Sequence, residues 1–567
     1  MSAGKGKFTA IPERESLTTE FKSDRKGLPD KILVDEVVGM ANASGGRIFL
    51  GVEDDGRPTG VRAEHEDPTG LMALVANRTV PPVSVEARLV RAGTSRVMEI
   101  VVPKGISVIS SSDGRVVRRR LRQDGEPEIV PMFPYEYATR LSDLGRMDFS
   151  ARTIDQASRS DLDPNERERL RNVIRNRDGD RSLLALSDEE LDKALGLVAE
   201  TPAGLKPTVA GMLVIGRRES LRKYVPTHAE AFQALDGNVV RIDDSTNEPI
   251  LAAVEHFERN LTPWNPEDEF TLDMARIPVP LFSVDGFREA LVNAFCHRNY
   301  SILGTVSVQV AVGQGLTVSS PGGFIDGVSL QNLLTVQPHG RNPALADILK
   351  RTGLAEKTGR GIDRIFEGAI RLGRPLPDFS ETTARNVTVF MRQGASDLPF
   401  AEMIARKQRQ LKKSFSTPAL LVLWFLRSSR SMTVAELARR TTLGEERILA
   451  ALEELSSCSL VLSGGKAGAS NRYRLDAASA GIVAPSVRKP VDDWETLALR
   501  VIRLCEKKGG ELTAGEIADY LGVNRMKAWR ILKKLADEGK IRKKSGGRYA
   551  SYQLALPESV AGRFRER

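Results

Sequence analysis

The stretch Phe287–Tyr300, "FREALVNAFCHRNY", carries a carboxylate, an amide and an imidazole at four-residue intervals: Glu289, Asn293 and His297. On a helix of about 3.6 residues per turn these three form one polar column. Leu291, Val292, Ala294 and Phe295 fall largely on the other side. A helix this apolar has no packing need for a carboxylate, an amide and an imidazole in one column, so the column marks a candidate site. A second set lies near the C-terminus. In "RMKAWRILKKL" the helical period turns Ala528, Ile531, Leu532 and Leu535 inward and Arg525, Lys527, Arg530, Lys533 and Lys534 outward. Such cations suit phosphates, and arginine also reads guanine edges.

These side chains need a scaffold, and the bulk numbers bound it. The chain has 567 residues; at ~100–200 residues per domain this predicts three to five domains. Hydrophobic residues are 41% and charged residues 28%, an ordinary globular balance. No apolar run approaches the ~18–20 residues of a membrane span, and the opening "MSAGKGKFTAIPERES" has no signal-peptide core. Cys296, Cys458 and Cys505 are too widely spaced for a disulfide framework or a zinc ligand set. A cytoplasmic protein without a membrane partner is expected. The formal net charge is +9. Between Trp494 and Arg567 there are 17 Lys+Arg against 9 Asp+Glu, so nearly all the excess sits at one end. That asymmetry is the footprint of a nucleic-acid partner.

Hydrophobic patterning predicts the elements. "TEFKS" has strand character, Lys31–Ala43 helical spacing, and "NASGG" breaks that helix before the buried strand "RIFLGVED". "SVEARLV" and "RVMEIVVP" read as two further strands. Residues 150–200 are charged and helical, "TVAGMLVIGR" and "HAEAFQAL" carry strand signals, and Thr305–Ser320 gives two alternating strands. The predicted class is a multidomain α/β and α+β protein. Its divisions are 1–145, a helical connector 146–204, 205–395, a linker 396–416, and two similar units at 417–480 and 490–567.

The two closing units repeat one plan: a short helix, a turn, a longer amphipathic helix, then a glycine-bearing hairpin. They resemble the winged-helix family. In the second copy Asn524 is placed to cap the longer helix. Arg542, Lys543, Lys544 and Arg548 would charge the wing. The first copy carries Glu445, Glu446, Glu453 and Glu454 on its longer helix and is expected to mediate protein contacts or spacing.

"ESLTTEFKS" followed by "NASGGRIFLGVEDDGRPTG" resembles the Schlafen AlbA-type domain over about residues 13–140. The resemblance implies an α/β domain linked with nucleic acids. In nuclease members of the family, two glutamates of the opening and an aspartate of the strand-turn bind divalent metal; the matching positions are Glu15, Glu20 and Asp54. Mg²⁺ or Mn²⁺ suits such oxygen ligands and keeps water for attack. Residues five apart point to different sides of a helix or strand, so Glu15 and Glu20 converge only across a bend. Lys22, Arg47 and the run Arg118, Arg119, Arg120 are candidate phosphate contacts.

"REALVNAFCHRNY" resembles the N-box of the GHKL ATPase superfamily, in the divergent RecG-like branch often paired with Schlafen AlbA-type domains. The likeness covers about residues 205–392 and continues through "SSPGGF", "GRNPALADIL" and "LAEKTGRGIDRI". It implies an α/β sandwich that binds ATP with Mg²⁺. Glu289 would orient the attacking water, and Asn293 would hold the metal. Gly322 and Gly323 would line the nucleotide, and Gly359, Arg360 and Gly361 would receive the phosphates at a helix start. The superfamily's adenine-binding aspartate is absent from "SSPGG", and Asp326 lies at another spacing. This favours binding over turnover.

Two functions follow as expectations. One is an ATP-binding regulator, a homo-oligomer by analogy with winged-helix regulators, that docks on DNA through its C-terminal unit. The other is a metal-dependent Schlafen-type endoribonuclease or nuclease, acting on tRNA or other RNA in phage defence.

Overall fold

The computed structural model describes residues 11–122, 125–272, 274–337, 340–356, 359–464, 471–476, 501–502, 504–505, 511–521, 525–544 and 551–554. The chain is a multidomain α/β and α+β protein that divides into two compact units, residues 1–409 and 410–567.

The first unit opens with a four-stranded sheet in the order Thr19–Lys22, Gly46–Leu50, Ser95–Val102, Glu86–Ala92. The first pair is parallel and the others antiparallel. Parallel neighbours need a crossover, and the helix Asp30–Ala41 supplies it. Its Leu33, Val34, Val37, Val38 and Met40 pack on Ile48, Leu50, Met98 and Ile100. The hairpin Val117–Leu121 with Pro127–Pro131 lies against the same helix. A Cβ on the helix's Gly39 would collide with Ile129 of that hairpin.

A five-stranded sheet follows, in the order Val239–Thr246, Glu230–Asp236, Val306–Ala311, Gly315–Pro321, Asn386–Arg392. The helices Ile250–Leu261 and Val284–Cys296 put Phe257, Phe287, Leu291 and Phe295 into one core with Phe232, Val308 and Leu316. Two sequence expectations change here. The stretch 146–204 is not a separate connector in packing: Leu170 and Ile174 of the helix Pro164–Asn176 belong to this same core. "TVAGMLVIGR" is a helix, Val209–Ile215, rather than a strand. A short apolar run buried on all sides has no periodicity to separate the two states. Thr208 decides it locally by accepting the Gly211 N–H at 2.9 Å as an N-cap.

The second unit holds the two repeats. The first copy comprises the helices Thr417–Leu426, Val434–Thr441 and Glu445–Ser457, with a sheet in the order Met432–Thr433, Arg472–Leu475, Val461–Ser463. The second has the helices Ala514–Leu521 and Arg525–Asp537 and a sheet in the order Glu511–Thr513, Ser551–Leu554, Ile541–Lys543. Val434, Glu445 and Val461 begin elements that recur eighty residues later at Ala514, Arg525 and Ile541. Both shorter helices open with a capping box, Thr433 with Glu436 and Thr513 with Glu516.

Candidate functional site

Glu289 and Asn293 lie on the helix Val284–Cys296, which Ser283 starts by accepting the Gly286 N–H at 3.1 Å. His297 is the C-terminal cap residue of that helix rather than a third member of the column. Its carbonyl accepts from Arg341 Nη1 at 2.9 Å. The helix Gly361–Arg371 packs directly across this one. A Cβ on Gly361 would fall on the Glu289 carboxylate and 3.2 Å from Asn293 Nδ2, so any larger residue here requires the Glu289 side chain to move. Glu289 is 5% exposed, and burial pushes its carboxyl up to about 7. Arg364 opposes that shift and Glu356 adds to it. Asn293 Nδ2 is buried without a partner of hydrogen-bond geometry. A buried carboxyl raised to about 7, an amide beside it that makes no hydrogen bond of good geometry, and a close backbone approach at a helix start are features of a candidate ligand site.

The glycine loops divide. Gly359 has a left-handed φ of 78°, as a tight entry to the helix requires. The Arg360 N–H already donates to Glu356 Oε2 at 2.7 Å, a protein carboxylate where the resemblance implies phosphate. The Arg360 side chain folds along its own helix toward Asp363 at 3.3 Å and Glu367 at 3.2 Å. Gly322 and Gly323 are closed in by protein. A Cβ on Gly322 would meet Arg341 Nη1 and Asn299 at 2.8 Å, and one on Gly323 would meet the Thr383 carbonyl at 2.7 Å. Arg341, which the sequence did not single out, is the buried hub: it reaches Asp143 at 2.6 Å and the Gly323 carbonyl at 2.9 Å. Asp326 pairs with Arg140 at 2.6 Å and with Lys104, so its carboxylate is committed to charges outside the glycine loop.

At the N-terminal domain, Glu15 and Glu20 do converge, because Glu15 turns back to accept the Phe21 N–H at 2.8 Å. Glu20 is buried in ion pairs with Lys22 and Arg119. Glu36, inside the apolar run of its helix, joins them at 3.1 Å from Lys22 and 3.4 Å from Arg119. Burial raises the carboxyls of Glu15 and Glu36, and the neighbouring Glu20 adds to both shifts. Asp54 is exposed in the turn. Among the described residues no three His, Cys, Asp or Glu side chains gather as a metal site. The cations expected to meet phosphate are largely taken: Arg119 is 3% exposed, Arg118 pairs with Glu136 at 2.5 Å and Arg120 with Glu128 at 2.7 Å. Arg47 lies 3.5 Å from the buried Glu99.

In the second repeat Ala528, Ile531, Leu532 and Leu535 are buried and Arg530, Lys533 and Lys534 are exposed. Arg542, Lys543 and Lys544 are exposed on and beside the strand Ile541–Lys543. Asn524, Arg548 and the side chains of Arg525 and Lys527 lie outside the described residues. Met526 and Trp529 also stand on the exposed face, and the sequence reading did not assign them; the signal was two bulky apolar residues breaking a polar stripe. With the eighty-residue offset, Glu453 and Glu454 of the first copy occupy the positions of Lys533 and Lys534. Ser416 caps the helix Thr417–Leu426, and Glu454 holds that cap by accepting from Ser416 Oγ at 2.6 Å.

Residues 15–127 match the family described as "Schlafen, AlbA_2", and residues 306–391 match "Putative ATP-dependent DNA helicase recG C-terminal". Residues 139–230 match "Domain of unknown function (DUF8451)", a span that crosses the expected boundary at 204. The chain therefore carries a Schlafen AlbA-type domain and a RecG-like C-terminal ATPase-type domain. Among solved structures, the DIP2311 protein from Corynebacterium diphtheriae is 24% identical over 95% of each chain with a TM-score of 0.50, a likeness of fold. ScpB from Mycobacterium tuberculosis is 17% identical over 28% of this chain and 95% of its own, with a TM-score of 0.10. No protein of curated function matches. Among the described residues no helix is long and apolar enough to cross a membrane.

Proposed function

We propose that this chain is an ATP-binding, nucleic-acid-binding regulator that docks on DNA through its C-terminal unit, with both closing repeats read as winged helices. The observation that carries the DNA assignment is the cationic face of the helix Arg525–Asp537, where Lys533 and Lys534 replace the glutamates of an otherwise similar helix. Such a face suits phosphates flanking a groove. Replacing Arg530 and Lys533 by alanine should weaken binding of duplex DNA and flatten its salt dependence by about one unit of slope per lost phosphate contact. Unchanged binding across a salt titration rejects the assignment.

The nucleotide assignment rests on Glu289 and Asn293 beneath Gly361. Asn293 would hold Mg²⁺, and the backbone at Gly359 and Gly361 would hold the phosphates. Mg²⁺–ATP, when bound, supplies a phosphoanhydride. Glu289, half protonated near pH 7, can take a proton from a water at its carboxylate. Glu356 must release the Arg360 N–H for a phosphate to use that donor. Asp326 is ion-paired, so no acid of the glycine loop is offered to adenine, and base selectivity is expected to be weak. Calorimetry should detect Mg²⁺-dependent ATP binding in the wild type and its loss, tenfold or more, in Asn293→Ala (on the order of 1–2 kcal/mol). Absence of binding in the wild type leaves a retained scaffold.

The nuclease reading finds less support, because Lys22 and Arg119 neutralise Glu20 where a metal would otherwise do so. It is tested by incubating the protein with tRNA, single-stranded and duplex DNA in Mg²⁺ or Mn²⁺; no metal-dependent product rejects it.

A further inference from the structure

The exposed face of the helix Arg525–Asp537 is not uniformly cationic. Met526 is 62% exposed and Trp529 is 44% exposed. They lie three residues apart, hence on one side of the helix and within its first two turns. Lys533 Nζ sits 5.5 Å from the Trp529 ring centroid, which gives the indole a charged neighbour on the next turn. Arg530 flanks the same stripe, and Arg542, Lys543 and Lys544 are exposed farther along the domain. The face is thus an apolar centre with a cationic surround.

The first repeat is a built-in comparison. At the position equivalent to Trp529 it exposes Leu449, but Glu445 and Glu453 stand one turn to either side of it. Those carboxylates repel a phosphate backbone. Among the described residues, only the second copy joins an exposed apolar pair to cations, a face that suits a partner both polyanionic and apolar at its centre. A DNA major groove has that pattern: phosphates line its walls, and the thymine C5-methyl is the apolar group on its floor. The N-terminal half of a groove-bound helix is where side chains reach base edges.

We propose that Met526 and Trp529 read thymine methyl groups in the major groove, so that this helix prefers A·T-containing duplexes by apolar contact. The inference rests on the DNA-docking reading and adds the base recognised and the residues that recognise it. Each covered methyl should strengthen binding by about fourfold.

The test uses the full chain and fluorescence-labelled duplexes of roughly 20 base pairs, about two helical turns. One is an alternating A·T duplex, and its counterpart carries deoxyuridine for thymidine. A G·C duplex is compared with its 5-methylcytosine form. The wild type is expected to bind the thymidine duplex at least fourfold more tightly than the deoxyuridine duplex and to gain from 5-methylcytosine. Met526→Gln with Trp529→Gln, both at exposed positions, should lose both preferences while keeping the salt dependence. Equal binding of the thymidine and deoxyuridine duplexes by the wild type overturns the inference and leaves DNA docking standing. Persistence of the preference in the double variant also overturns it, by assigning the effect to duplex deformability. Failure of the wild type to bind any duplex at low salt overturns the docking reading and the inference with it.

Discussion

Glu289 holds its proton to unusually high pH because burial outweighs the nearby Arg364, and its carboxyl titrates at about 7 instead of 4.5. The sign of the linkage follows. The folded state binds this proton more tightly than the unfolded state, so the group's contribution to stability is full below pH 4.5 and is lost as pH rises through 7. Glu289→Gln keeps the shape and removes the titration. The variant should therefore gain stability over the wild type progressively from pH 5 to 8, on the order of 2–3 kcal/mol at the upper end. Denaturant titrations at several pH values check this, and a stability difference that stays flat with pH refutes it. The same carboxyl near neutrality would suit a water-orienting base, so a stability cost at neutral pH accompanies the proposed chemistry.

At the scale of elements, the seam between the helices Val284–Cys296 and Gly361–Arg371 is set by what is missing. Gly361 brings backbone onto Glu289 and Asn293, and Gly368 brings it onto Ser283. Gly361→Ala should push the helices apart, costing on the order of 1–3 kcal/mol, and should disturb the Glu289 environment. The expected outcome is a lower unfolding midpoint together with a Glu289 titration moved back toward 4.5. A normal midpoint with normal ATP binding would show that the seam yields easily. The repeats give the opposite lesson. Their backbones follow one plan at an eighty-residue offset, and their outward faces differ in charge, with Glu453 and Glu454 against Lys533 and Lys534.

At the scale of the molecule, the helix Pro134–Asp143 is a strut within the first unit. Arg140 reaches Asp326 at 2.6 Å and the Gly105 carbonyl at 2.7 Å, and Asp143 holds Arg341. Lys104 pairs with Asp326 as well. The Schlafen AlbA-type domain and the ATPase-type domain therefore share ion pairs on one loop and one helix. Arg140 is almost fully buried, so its loss leaves the Gly105 carbonyl without this donor and Asp326 with Lys104 alone, at a cost of about 1–3 kcal/mol. Arg140→Ala should uncouple the two domains, and calorimetry should show the first unit's transition shifting down and broadening or splitting. An unchanged single transition would show that the strut carries no coupling.

Local chemistry was legible in the chain itself. Helical period placed Ala528, Ile531, Leu532 and Leu535 inside and Arg530, Lys533 and Lys534 outside, and the alternation at Thr305–Ser320 became two strands, because period follows directly from backbone geometry. Spacing also put Glu289 and Asn293 on one face. Four features became legible only in the folded chain. Val209–Ile215 became a helix since an all-apolar run has no period to read. Arg119 turned from candidate phosphate ligand to buried partner of Glu20 and Glu36, which lie 99 and 83 residues away. Gly322 and Gly323 were claimed by Arg341 and by the Thr383 carbonyl rather than left open to a ligand. Glu356 took up the Arg360 N–H. For Arg119 and for the glycine loop the groups were named correctly by the sequence, but their partners come from distant segments. Sequence alone thus determined which groups this protein possesses and which faces its helices present. Desolvation and long-range pairing, which exist only once the chain is folded, decided which of those groups are neutralised and which stay poised for a ligand.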